Sequence, residues 1–192
     1  ASEGCRPRLP WSFQIKALIA DPAPVAAILD TLKADPSLYV RKSVANHLND
    51  IAKDHPGWVL DLVAVWPRDD PRTAWIVRHG LRTLIKQGNN RALTLIGAGA
   101  APVVDVERFA VTPTAIVLGA PITIEARLMS RADTAQRLVV DYAIHYVKKS
   151  GATSRKVFKF KEVELEAGGN ADLTISQTVR DFTTRKHHAG RH

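Results

Sequence analysis

The stretch Tyr39-Val-Arg-Lys-Ser-Val-Ala-Asn-His-Leu-Asn-Asp-Ile-Ala-Lys53 decides how the first half of the chain folds. At about 3.6 residues per turn, Val40, Val44, Leu48 and Ile51 share one side of a helix, and that side needs a core. Lys42, Asn46, Asn49 and Lys53 make the opposite stripe, polar and cationic. Asp50 lies on its flank, one turn beyond Asn46, so the two project together. The spacing predicts a helix over 38–53 that offers solvent one carboxylate among amides and amines. Such a surface suits an anionic ligand with a positive reaction centre.

Working outward, Asp54-His-Pro-Gly57 ends this helix, and Trp58 to Trp66 is a short amphipathic one, broken by Pro67-Arg-Asp-Asp-Pro71. Ala74 to Lys86 is the next, closed by Gly88 at a C′ position. On the other side, Asp35-Pro36 stops a segment and Ser37 is placed to cap the helix. Residues 12–33 read as a helix pair broken at Asp21-Pro-Ala-Pro24, with Val25, Ile28, Leu29 and Leu32 as its apolar face. Residues 1–12 read as the end of a helix entering a turn, because Pro7 and Pro10 cannot continue it. Glu3, Arg6, Arg8 and Trp11 crowd into nine residues there. From the residues alone this is a loop with ordinary surface charges and a tucked Trp.

Val40-Arg41 and Val77-Arg78 begin helices of one pattern, offset by 37 residues. A period near 40 with two helices per unit points to a HEAT-like α-solenoid, in which Arg41 and Arg78 ladder against turn acids such as Asp35 and Asp70. Residues 91–104 read as a last short helix and a Gly/Ala/Pro linker, placing a boundary near 100: helical repeats over 1–100, a second domain over 101–192.

Beyond it the period changes to two. Val104–Val111, Ile122–Met129, Arg137–Val147, Lys156–Glu164 and Asp172–Val179 alternate or run apolar between turn signals. Short strands at this spacing, without cysteines, predict a disulfide-free immunoglobulin-like β-sandwich. Lys148, Lys149, Arg155 and Lys156 lie on one hairpin loop, and the tail from Arg185 to His192 is basic. Its histidines have no carboxylate or cysteine at ligand spacing, so no metal site is expected.

The chain carries a formal charge of +8, with 13 basic and 9 acidic residues before 104 and 14 and 10 after it. The excess is spread over both halves and favours a polyanionic partner. No apolar run reaches the roughly 18 residues of a membrane span, and the lone Cys5 reads as a small buried side chain in a reducing compartment. The absence of an initiator Met, and of a last edge strand, suggests a piece cut at both ends.

Together, SEGCRPRLPW (2–11), YVRKSVANHLNDIAKDHP (39–56), WIVRHGLRTLIKQG (75–88) and QRLVVDYAIHYVKKSG (136–151) closely resemble the AlkC-type DNA alkylation-repair glycosylases. These are relatives of the AlkD-type HEAT-like-repeat glycosylases that carry an extra C-terminal Ig-like domain. The resemblance implies hydrolysis of the N-glycosidic bond of cationic bases, 3-methyladenine and 3-methylcytosine, without a deep base-flipping pocket. It implies double-stranded DNA as partner, a cytoplasmic, nucleoid-associated monomer, and neither membrane, cofactor nor metal. It matches the catalytic carboxylates to Glu3 and Asp50 and the active-site tryptophan to Trp11. Against the family the chain is expected to lack the N-terminal part of the solenoid, with at least one further active-site carboxylate.

The chemistry is consistent with those residue types. A methylated, positively charged base leaves neutral and needs no general acid, so the barrier lies mostly in the oxocarbenium-like sugar. Preplaced carboxylates stabilise that cation and orient water, and a Trp holds a cation by its ring face. Phosphate contacts are expected from Lys42, Asn46, Asn49, Lys53, His79, Arg82 and Lys86, with Arg6 and Arg8. His47 and His55 are expected to be structural, and Trp58, Trp66 and Trp75 to be core aromatics. The competing reading is a non-enzymatic HEAT-repeat scaffold. It leaves unexplained why Asp50 sits in a basic stripe; an Asp50 carboxyl sealed inside the protein, or pointing to the convex back of the superhelix, would sink the repair mechanism and leave only a curved binding platform.

Overall fold

Prolines and Asp/Asn turns cut the first half of the chain into short helices. The structure, a computed structural model, describes residues 1–183 and 186–192; Arg185 of the basic tail lies outside them. Two compact units are present, Ala1–Gly99 and Ala100–His192.

In the first unit a 3-10 turn at Glu3–Cys5 precedes α1 (Lys16–Ala20), and a second at Ala23–Val25 leads into α2 (Ala26–Thr31), followed by α3 (Leu38–Ile51), α4 (Pro56–Ala64), α5 (Pro71–Gly80), α6 (Arg82–Lys86) and α7 (Asn90–Leu95). Ser37 is the N-cap of α3, but its hydroxyl makes no cap bond. Asp35 instead takes the Ser37 N–H at 2.8 Å. At α5 the cap is complete, with Asp70 accepting from Arg72 and Thr73. The single helix expected over 74–86 begins earlier, at Pro71, and breaks at Leu81. There the Arg82 guanidinium donates to the His79 carbonyl at 2.7 Å.

α3 and α5, the two copies of the repeated pattern, pack on each other. At Gly80 the two helices leave little room for a side chain, since a Cβ there would lie 3.1 Å from the Leu48 Cβ. Leu29, Val44, Leu48, Val59, Ile76 and Leu81 are wholly buried in one core. Trp66 belongs to it, and Trp58 and Trp75 pack partly against it, as core aromatics do. Arg41 reaches its preceding turn through the Asp35 and Pro36 carbonyls, at 2.9 and 2.8 Å, rather than through the Asp35 carboxylate.

The second unit has five strands: β1 (Val104–Thr112), β2 (Pro121–Ser130), β3 (Gln136–Val147), β4 (Thr153–Leu165) and β5 (Asn170–Thr178). All pairings are antiparallel, in one sheet ordered β1-β2-β5 and another of β3-β4. Ala126 and Leu128 of β2 and Leu173 of β5 meet Leu138 of β3 and Leu165 of β4 in a shared core. The Tyr142 hydroxyl donates to Gln177 at 2.5 Å, tying β3 to β5. Lys148, Lys149, Arg155 and Lys156 are exposed on the β3–β4 hairpin. Among the described residues no helix is long and apolar enough to cross a membrane.

Candidate active site at the opening turn and α3

The polar side of α3 has two neighbours, and this changes how its residues are read. The 3-10 turn at Glu3–Cys5 packs on one flank and α5–α6 on the other. Ser43, His47 and Asp50 follow one another at helical spacing and are all buried.

Asp50 is not offered to solvent as the periodicity suggested: it is 4% exposed. Arg6 donates from Nε and Nη2 to Asp50 Oδ2, at 2.9 and 2.7 Å. Lys53 Nζ donates to Oδ1 at 3.0 Å. The third donor group of the Arg6 guanidinium, Nη1, bonds Glu3 Oε1 at 2.7 Å, and Ser43 Oγ donates to Glu3 Oε2 at 2.7 Å. One guanidinium thus joins the two candidate carboxylates. Burial works against the Glu3 carboxylate, but Ser43 and Arg6 outweigh it and hold its pKa below the ordinary value.

His47 lies beneath this cluster, fully buried, with Nδ1 3.3 Å from the Ser2 hydroxyl and no partner for Nε2 among the described residues. Burial lowers its pKa to about 4, so the ring is neutral at pH 7. It is structural, as is His55, whose Nε2 lies 2.7 Å from the Ile19 carbonyl.

Several expected phosphate contacts are engaged inside the protein. Arg6 is 8% exposed and committed to the carboxylates. Asn49, 6% exposed, accepts from the Thr83 hydroxyl at 2.8 Å. Both are corrections: for Asn49, a wheel gives a side chain's direction and not the neighbour that meets it, and for Arg6, the buried acid that takes it lies 44 residues away in sequence. Arg8 pairs with Asp54 through two bonds at 3.0 and 2.8 Å. Arg82 is half-buried and bonds Asn46 at 3.0 Å. His79 stacks on Trp75 at 4.8 Å, and burial, then Arg82 and Lys42, lowers its pKa. Lys42 and Lys86 are exposed, on α3 and α6.

Trp11 is not tucked: its ring is wholly solvated, with φ at +63°, a backbone region uncommon for a bulky residue. The structure therefore brings Glu3 and Asp50 together and leaves Trp11 apart from them. Ser43 and the Ser2–His47 contact escaped the sequence reading. Their signal was present, since Ser43, His47 and Asp50 form a second polar stripe with period i, i+4, i+7. No group of three or more His, Cys, Asp or Glu side chains suited to a metal occurs among the described residues.

Positions 105–192 match the family described as "Uncharacterised protein YhaZ, C-terminal Ig-like domain". YhaZ of Bacillus subtilis is 43% identical over all 192 residues, which are 53% of that protein. The solved structure of Pseudomonas fluorescens alkylpurine DNA glycosylase AlkC, bound to DNA containing an abasic site analog, is 58% identical and superposes with a TM-score of 0.93. It covers 97% of this chain, which spans 52% of that one. The helical-then-β architecture with an Ig-like second part is thus borne out, and the chain, spanning about half the length of the relatives it matches, is similar in sequence and fold to the matched part of AlkC.

Proposed function

We propose that the protein is a DNA glycosylase of base-excision repair that hydrolyses the N-glycosidic bond of cationic N-alkylated bases, 3-methyladenine and 3-methylcytosine among them. The observation that carries this reading is the joining of Glu3 and Asp50 by one guanidinium in a chain 58% identical to an alkylpurine glycosylase. Two anions held in place by Arg6 need no reorganisation when a sugar beside them becomes cationic, and that is how preplaced charge lowers a barrier. Asp50 is the principal electrostatic stabiliser and orients water, Glu3 supports it, and Trp11 engages the departing base or sugar through its ring face. Lys42, Lys86, His79 and Arg82 hold backbone phosphates without reading sequence. Duplex DNA is the partner, the chain acts as a cytoplasmic monomer at the nucleoid, and the helical repeats (1–100) and Ig-like domain (101–192) are its two modules.

The covered state of Asp50 gives one argument to the alternative, a HEAT-repeat scaffold that binds DNA or protein without chemistry. One assay decides: base release from N-methylated duplex DNA by the intact protein, wild type against Asp50→Asn. The glycosylase reading expects release to fall by about two orders of magnitude or more with DNA binding kept or tightened. A scaffold releases nothing in either form.

A further inference from the structure

Asp50 has room for one more hydrogen bond, and its position is defined. A carboxylate offers about two acceptor sites on each oxygen. Both on Oδ2 are taken by Arg6, which is itself pinned by Glu3 and only 9% exposed at its side chain. On Oδ1 there is one bond among the described residues, from Lys53, whose side chain is 47% exposed.

The two covers differ in kind. Arg6 is locked in a buried fork. Lys53 sits in the turn just after α3, and a single bond from a half-exposed ammonium is held weakly. That turn is itself anchored, because Arg8 grips the next residue, Asp54, through two bonds. The Lys53 side chain can therefore leave Oδ1 by rotating its own stem, without moving helix or turn. A lysine is a compact, strongly hydrated charge that exchanges anionic partners readily. The dense negative charge of a DNA backbone is a competing partner of the right sign.

We infer that Lys53 gates the Asp50 carboxylate, covering Oδ1 in the free protein and passing to a backbone phosphate when duplex DNA binds. This rests on the glycosylase reading and accounts for a carboxylate that is covered at rest and uncovered when a substrate lies against it. Lys53 is thus a positioning residue that acts through Asp50.

The test is the salt dependence of duplex DNA binding by the intact protein, for wild type, Lys53→Met, Lys53→Arg and Asp50→Asn, each checked by circular dichroism to be folded at the assay temperature. If Lys53 reaches a phosphate in the complex, Lys53→Met flattens the slope of log K against log salt by about 0.9. Lys53→Arg then keeps the wild-type slope, and so does Asp50→Asn, since the contact exists with or without the carboxylate. A wild-type slope in Lys53→Met, or a slope about 0.9 steeper in Asp50→Asn, would show that Lys53 stays on Asp50 and would overturn the gate. Base release by the wild type is read separately. Its absence would end the glycosylase reading, while the slopes would still decide whether the lysine moves.

Discussion

Two arginines of the opening turn, Arg6 and Arg8, grip two aspartates at the end of α3, Asp50 and Asp54. The bonds are alike in length, 2.7–2.9 Å for the first pair and 2.8–3.0 Å for the second. The surroundings are not. The side chains of the first pair are 9% and 6% exposed, those of the second 29% and 27%. Water around Asp54 supplies most of what Arg8 gives it, whereas Asp50 has no such substitute. The same geometry is therefore a tether at one position and a requirement four residues earlier.

The largest consequence is at Arg6. Arg6→Ala leaves the Asp50 charge buried with Lys53 as its one hydrogen-bonded cation among the described residues, a loss of about 3–5 kcal/mol for a broken buried pair. Urea unfolding of the helical unit reads this, and a change below about 1 kcal/mol would put Arg6 in the same class as Arg8.

His47 gives the next effect, through pH. Its unfolded pKa is 6.5 and its folded pKa about 4, so between those values the unfolded chain binds more protons. The stability contributed by the neutral ring is complete above pH 6.5 and is lost as pH falls toward 4. The loss is roughly 3 kcal/mol. Glu3, held below its ordinary value of 4.5, adds its own loss only at more acid pH. Denaturant midpoints across this range should flatten in His47→Gln, and an unchanged slope would mean that the ring is hydrated.

Lys42→Ala comes third. It should weaken duplex DNA binding equally on every sequence and lower the salt slope by about 0.9; fluorescence anisotropy at several salt concentrations measures both. An unchanged slope would place Lys42 away from the phosphates. Arg8→Ala is last: the melting temperature should scarcely move, and any change at low salt should vanish at high salt. A large, salt-independent drop would erase the distinction between the two pairs.

The same contrast explains what could be read from the chain beforehand. The apolar face of α3 was legible because Val44, Leu48 and Ile51 recur with the helical period, and the strands because their apolar residues alternate. Glu3 and Asp50 were marked by their motifs. Their meeting on Arg6 was not legible, because it depends on a contact 44 residues apart in sequence. The burial of Asn49 and Asp50 was missed for a related reason. A helix flanked on two sides hides polar residues as partners, and periodicity counts them as surface. The break at Leu81 is equally silent in the sequence, since Arg82 closes it by bonding a carbonyl of its own chain.

The central claim is that Asp50 is a catalytic anion and not merely half of a buried ion pair. Single-turnover release of methylated base from duplex DNA, for wild type and Asp50→Asn at equal DNA occupancy, tests it most directly. The account expects release by the wild type and a fall of about two orders of magnitude or more in the variant, with binding intact. Equal release by both would contradict it.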